Sequence, residues 1–193
     1  MAETYDPLDY DNLANSVVTA LLAKEISPLP PAESFAGSGV YAIYYMGDLP
    51  CYSHLSSPKC KVPIYVGKAI PAGGRKGSKV RGDTPGRELF GRLKQHATSI
   101  KQTGNLKPDE FRCRYLVVER VWIELAEKFL IHHFHSVWNT VVDGFGNHNV
   151  GRYRTEGARP RWDILHPGRP WAVGLASRQT PEDVIALINA SRR

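Results

Sequence analysis

An α+β fold is predicted, built on a small antiparallel or mixed three-stranded sheet flanked by helices. Three observations carry this. "GVYAIYYM" and "PIYVG" are rich in tyrosine and β-branched residues and lie one loop apart, as hairpin strands do. A third run, "FRCRYLVVE", alternates apolar and polar residues over the length of a strand. The segments around them repeat their apolar residues at helical spacing, so sheet and helices share one core.

The elements follow in order. Residues 7–26 form an amphipathic helix, with Leu8, Leu13, Val17, Val18, Leu21 and Leu22 on its stripe and Pro28 as its stop. "SPLPPAESFAGSG" is a linker, so residues 1–36 read as a helical arm and 37–193 as the main domain. The first strand leads through a loop at 47–62 to the second. Residues 68–87 form a glycine-rich loop with six Lys/Arg and one Asp. "RELFGRLKQHATSI" is a helix with Leu89, Phe90 and Leu93 toward the core, and Arg92 and His96 at the edge of that stripe. In the third strand Phe111, Cys113, Tyr115 and Val117 point inward. "VWIELAEKFLIHHFHSVW" is one helix, its stripe formed by Trp122, Leu125, Ala126, Phe129, Leu130 and His133. After a long irregular segment, "TPEDVIALINAS" closes the chain as a helix with Thr180 as N-cap and Asp183 at N3.

With 193 residues, 42% of them hydrophobic and 23% charged, the chain fits one soluble domain or one domain with an arm. Its apolar runs fall far short of the ~20 residues a membrane helix needs. The acidic start, "MAETYDPLDYDNL", has no signal-peptide core, and cytoplasmic residence is expected. Cys51, Cys60 and Cys113 are too few and odd in number for a disulfide scaffold. Cys51 and Cys60 bracket His54, but the spacing matches no standard zinc finger and a fourth ligand is not evident. The net charge of +6 is uneven: residues 1–36 carry six acids and one base, which leaves +11 on the remainder. So basic a body points to a polyanionic partner.

Several residue types suited to phosphate chemistry recur along this body. Arg92 and His96 are four apart and share a helix face. An arginine fork suits phosphate, and a neutral imidazole accepts a proton near neutral pH. Glu124 and Glu127 are three apart, and a carboxylate beside a basic site suits a hard cation. Taken singly, these residues also fit a solvated helix face, with Glu127 as a partner for Lys128 or Arg120. Asn139 alone reads as a C-cap or turn residue. The three close histidines, His132, His133 and His135, point in different directions on a helix and fit packing or surface better than a metal cluster.

Taken in order, these residues resemble the GIY-YIG nuclease superfamily. "GVY" at 39–41 and "YVG" at 65–67 match its two name motifs. "GRLKQH" matches its arginine and helix histidine, and "EKFLIHHFHSVWN" its glutamate followed twelve positions later by asparagine. The likeness spans residues 37–140, and the loop at 47–62 departs from the family's shorter hairpin. The "WNTVVDGFGNHNVG" stretch and the short chain look like the type II restriction endonuclease branch.

The resemblance implies a catalytic set of Tyr41, Tyr65, Arg92, His96, Glu127 and Asn139. Glu127 would be the single metal ligand, for Mg²⁺ with Mn²⁺ able to substitute. Arg92 would hold the scissile phosphate. His96 would take a proton from Tyr41, whose phenolate would activate water, while Tyr65 positions phosphate or water; which tyrosine is the base stays open. Asn139 would bond a phosphate or backbone group. Lys68, three past Tyr65, would bring positive charge to a neighbour. DNA contacts are expected from Lys68, Arg75, Lys76, Lys79 and Arg81, and from Arg152, Arg154, Arg159, Arg161 and Arg169, some reading guanine edges and others clamping phosphates. A palindromic double-strand cut requires two sites, hence a twofold homodimer, with the N-terminal helix either embracing the partner or packing on its own domain. A repair or homing nuclease, a non-catalytic DNA-binding protein and a tyrosine that links covalently to DNA are the alternatives.

Overall fold

The computed structural model describes residues 6, 8–71, 86–147 and 157–192. Among these residues the sheet has four strands rather than three and is antiparallel throughout, in the order β1-β4-β2-β3. These are β1 (Ser27–Pro28), β2 (Gly39–Tyr45), β3 (Tyr65–Ala69) and β4 (Phe111–Val117). The strand missed by sequence is β1. It is only two residues long and lies in a proline-rich stretch, with Ser27 opposite Cys113. Pro28 has no N–H to offer, which confines it to a sheet edge.

β2 is central and buried along its whole length, so its side chains build a core on each face. Tyr41, Ile43 and Tyr45 face one core together with α2 (Glu88–Lys101). Val40, Ala42 and Tyr44 face the other, with α1 (Tyr10–Leu22) and α3 (Ile123–Phe134). Among the described residues β3 is the outermost strand on its side, and no further strand pairs with its outer edge.

The helices are shorter than their apolar patterns suggest. α1 begins at Tyr10 because the Asp9 carboxylate accepts from the N–H groups of Asp11 and Asn12. Leu8 lies outside it and is exposed, and the helix ends at Leu22, well before Pro28. Its buried residues, Ala14, Val18 and Leu21, pack toward α3, where Tyr10 meets Phe129 edge-to-face at 4.6 Å.

The expected helix over 121–138 is broken in two. His135 adopts a left-handed conformation (φ 46°), ending α3 before α4 (Val137–Thr140). Trp122 sits in a 3₁₀ turn ahead of α3 and is exposed, as is His133; the buried stripe is Ile123, Ala126, Phe129 and Leu130. In β4, Phe111 and Cys113 point inward as expected, but Val117 at the strand's end is exposed.

The segment after α4 carries α5 (Arg161–Leu165) and α6 (Pro170–Val173) before the closing α7 (Pro181–Ala190). Thr180 and Asp183 cap α7 reciprocally, as their spacing indicates. The loop at 47–62 is not a solvent excursion. Its 3₁₀ turn, Pro50–Tyr52, buries Tyr52, whose hydroxyl lies 2.8 Å from His166 Nε2 and accepts from Trp138 Nε1 at 2.9 Å. Asn105 meets His166 Nδ1 on its other side. Cys51 and Cys60 are buried in the two separate cores. Among the described residues, no helix is long and apolar enough to cross a membrane.

Candidate active site

The β2–β3 pairing sets Ile43 opposite Tyr65 and Tyr41 opposite Gly67. Side chains two apart on a strand share a face, so Tyr41 and Tyr65 both point toward α2, with ring centroids 6.2 Å apart. Gly67 is what lets the Tyr41 phenol lie across β3. A Cβ there would sit 2.5 Å from the Tyr41 hydroxyl.

α2 covers this face with Leu89, Leu93, Ala97 and Ile100. His96, three past Leu93 and four before Ile100, falls within that buried stripe and not at its edge; it is 1% exposed. Its Nε2 lies 2.6 Å from the Tyr41 hydroxyl. Arg92, one turn earlier, is half-buried, and its Nη2 donates to the Gly146 carbonyl at 2.8 Å.

Residues 143–147 form a third wall. Phe145 stacks on the His96 ring (4.4 Å, 21°) and meets Tyr65 edge-to-face at 5.0 Å. A Cβ on Gly146 would fall 2.6 Å from the Tyr65 hydroxyl, so a larger residue there would push that hydroxyl from its place beside Arg92.

The carboxylates arrive from the other side of the sheet. Lys68, on β3, places Nζ 2.8 Å from Glu127 and also ion-pairs with Glu124, both on α3. These groups can meet those on the α2 face because β3 is an edge strand, and Lys68 and Arg92 line one cleft with Glu88 and Gln95. Asn139, on α4, reaches the same strand. Its Oδ1 accepts from the Val66 N–H at 2.8 Å and its Nδ2 donates to the Val66 carbonyl at 2.9 Å. The asparagine thus acts as a neighbouring strand would and holds β3 from its open edge.

Burial, with help from the neighbouring Tyr65, holds the Tyr41 phenol well above its ordinary pKa, and the Arg92 charge pulls only partly the other way. Tyr65 is raised mainly by burial; Arg92 opposes this and Glu127 adds to it. Both phenols are therefore neutral near pH 7, and the Tyr41 hydroxyl has His96 Nε2 in contact, a nitrogen that accepts in the tautomer protonated at Nδ1. Burial works against the Lys68 ammonium, but its bonds to Glu124 and Glu127 outweigh that and hold it charged. Around Glu127 the donors are its own carboxylate and that of Glu124, both ion-paired with the Lys68 ammonium; oxygen donors of this kind suit a hard divalent ion, which would take the place Lys68 holds.

The structure therefore gathers Tyr41, Tyr65, Arg92, His96 and Glu127 around β3, with Asn139 behind the strand. Of the residues expected to contact DNA, Arg75, Lys76, Lys79, Arg81, Arg152 and Arg154 lie outside the described residues. Arg159 is half-buried and donates to the carbonyls of Ala172 and Val173; Arg161 donates to Gln179 and to the Val141 carbonyl. Arg169 is 1% exposed and its guanidinium is held inside the protein, so it does not belong with surface DNA contacts. Sequence reasoning did not single out Phe145 and Gly146, although they lie within the noted "DGFGN" stretch. A glycine-flanked aromatic was the one available signal.

None of the curated proteins matches the chain. Residues 33–190 match the family described as the Eco29kI GIY-YIG domain, which takes in every element from β2 to α7. The chain therefore belongs to the Eco29kI GIY-YIG domain family, a family of restriction endonucleases.

Proposed function

We propose that this chain is a type II restriction endonuclease that hydrolyses double-stranded DNA at a short palindromic site, acting as a homodimer with one divalent metal per active site. Nucleases of this class generally use a divalent metal, and Mg²⁺, with Mn²⁺ as a substitute, is the ion proposed here. The observation that carries the reading is the 2.6 Å contact between the Tyr41 hydroxyl and His96, with Arg92 and Glu127 close enough for their charges to act on both phenols.

The residues divide the work. Arg92 exchanges its Gly146 carbonyl for a phosphate oxygen, a stronger, charge-assisted partner. Tyr41 passes its proton to His96 Nε2, and the phenolate takes a proton from water. The resulting hydroxide oxygen attacks phosphorus as the bond to the 3′ oxygen breaks; that oxygen takes a proton from solvent water, and His96 returns its own to solvent. Tyr41 is favoured over Tyr65 as the base because its hydroxyl lies against His96 Nε2, whereas the Tyr65 ring meets the imidazole edge-on. Tyr65 points its hydroxyl at the space beside Arg92 and positions the phosphate. Glu127 would hold the divalent ion, which when bound supplies positive charge to the phosphate and the leaving oxygen. Asn139 keeps β3, and with it Tyr65 and Lys68, in place.

The test is cleavage of sequenced plasmid DNA with Mg²⁺. Discrete fragments ending at one short palindrome are expected; nicks in one strand or a long asymmetric site favour a repair or homing nuclease instead. Glu127→Ala keeps DNA binding and loses cutting, and Arg92→Ala loses cutting as well. Wild-type cutting by Glu127→Ala refutes the metal assignment.

A further inference from the structure

Arg169 is buried, far from the surface role its sequence position suggests, and every one of its five N–H groups has an acceptor. Nε and Nη2 grip the two oxygens of Asp163 on α5, the first at 2.6 Å. Nη1 donates to the carbonyls of Phe145 (3.2 Å) and Asn147 (3.1 Å), and Nη2 to that of Gly144 (2.9 Å). Its guanidinium lies over the rings of Trp162 and Trp171, at 4.4 and 4.7 Å. Arg169 thus bonds three carbonyls within one four-residue stretch, and that stretch is the site's third wall: the Phe145 ring lies on His96 and the Gly146 carbonyl accepts from Arg92.

We propose that the Arg169–Asp163 pair is a positioning device for catalysis, fixing the 144–147 loop so that Phe145 orients the His96 imidazole toward Tyr41 and the Gly146 carbonyl holds Arg92 ready for phosphate. This rests on the nuclease reading above for its kinetic consequence, though not for its geometry. An arginine is needed because the bonding is forked and planar. A lysine ammonium has three donors and cannot serve a bidentate carboxylate and three carbonyls together. The pair touches no reacting atom. It acts through Phe145 and Gly146, and it couples the site to the C-terminal segment that carries α5 and α6.

The test uses Arg169→Lys in the full chain, with two readouts. The first is kcat and KM on plasmid DNA with Mg²⁺. Misplacing a catalytic group by about 1 Å costs about 100-fold, so kcat falls about 100-fold with KM unchanged. A role in stability alone would leave kcat of the folded fraction intact, and a DNA-contact role would raise KM. The second is the NMR resonances of the His96 ring in histidine-labelled protein, which the stacked Phe145 ring shifts; they move in Arg169→Lys. Asp163→Asn, which keeps side-chain volume and the three carbonyl bonds, is the companion variant and shifts both readouts in the same direction. If Arg169→Lys does not fold, Asp163→Asn decides. Folded variants with wild-type His96 resonances and wild-type kcat overturn the proposal. Should wild-type protein cut no DNA, the nuclease reading falls, and the His96 resonances still decide whether Arg169 positions the loop.

Discussion

Gly67→Ala adds a single methyl and removes no functional group, yet it should nearly silence the site. The added Cβ would lie 2.5 Å from the Tyr41 hydroxyl and 2.8 Å from its ring carbon Cζ. Ordinary contact begins at about 3.4 Å, so the phenol must retreat by about 0.9 Å or β3 must bow outward. The phenol cannot retreat freely, because Tyr41 is fully buried against His96 and Tyr65. A shift of that size cannot be made without spoiling the 2.6 Å geometry between the phenol and His96. Proton transfer then loses its path, and a displacement near 1 Å corresponds to a rate loss of about 100-fold, or about 2.7 kcal/mol in the barrier. The overpacking costs a further ~1–3 kcal/mol of stability, so Tm is measured in parallel. The assay is single-turnover plasmid cleavage in Mg²⁺, with DNA affinity measured separately in the absence of metal. Unchanged affinity with cleavage about 100-fold slower is expected. Wild-type cleavage by a folded Gly67→Ala protein refutes the claim that the Tyr41–His96 contact carries the proton.

Two further predictions concern the scaffold. Asn139→Ala strips both partners from the Val66 peptide at the open side of β3 and should cost about 2 kcal/mol, read as a loss of denaturant midpoint, with cleavage reduced as well because Tyr65 and Lys68 share that strand. His166 is buried and neutral, its pKa pushed down to about 3 by desolvation. The unfolded chain takes up this proton first as pH falls below about 6.5, so stability is lost from there toward pH 3. At pH 5 the loss is about 2 kcal/mol, and His166→Gln should show a smaller drop in Tm between pH 7 and pH 5 than wild type; equal drops would sink the assignment.

The sequence by itself indicated the candidate site residues and three of the four strands around which they gather. Alternation in "GVYAIYY" and "PIYVG" is a property of the strand itself, so it places Tyr41 and Tyr65 on one face whatever surrounds them. The four-residue spacing of Arg92 and His96 is equally local. The distribution between core and edge was not legible. His96 is buried and Trp122 exposed because α2 and α3 are seated by contacts with other segments, to which a helical wheel is blind. Asn139 looked like a helix end. It became a surrogate strand only because the left-handed His135 turns α4 toward β3. Arg169 looked like one cation among several near the C-terminus. Only the tertiary structure gave it Asp163, two tryptophan rings and three carbonyls, because the bonds that bury an arginine come from residues up to 25 positions away. Periodicity fixes where a side chain points; what it meets there is decided by chain segments that local pattern does not connect.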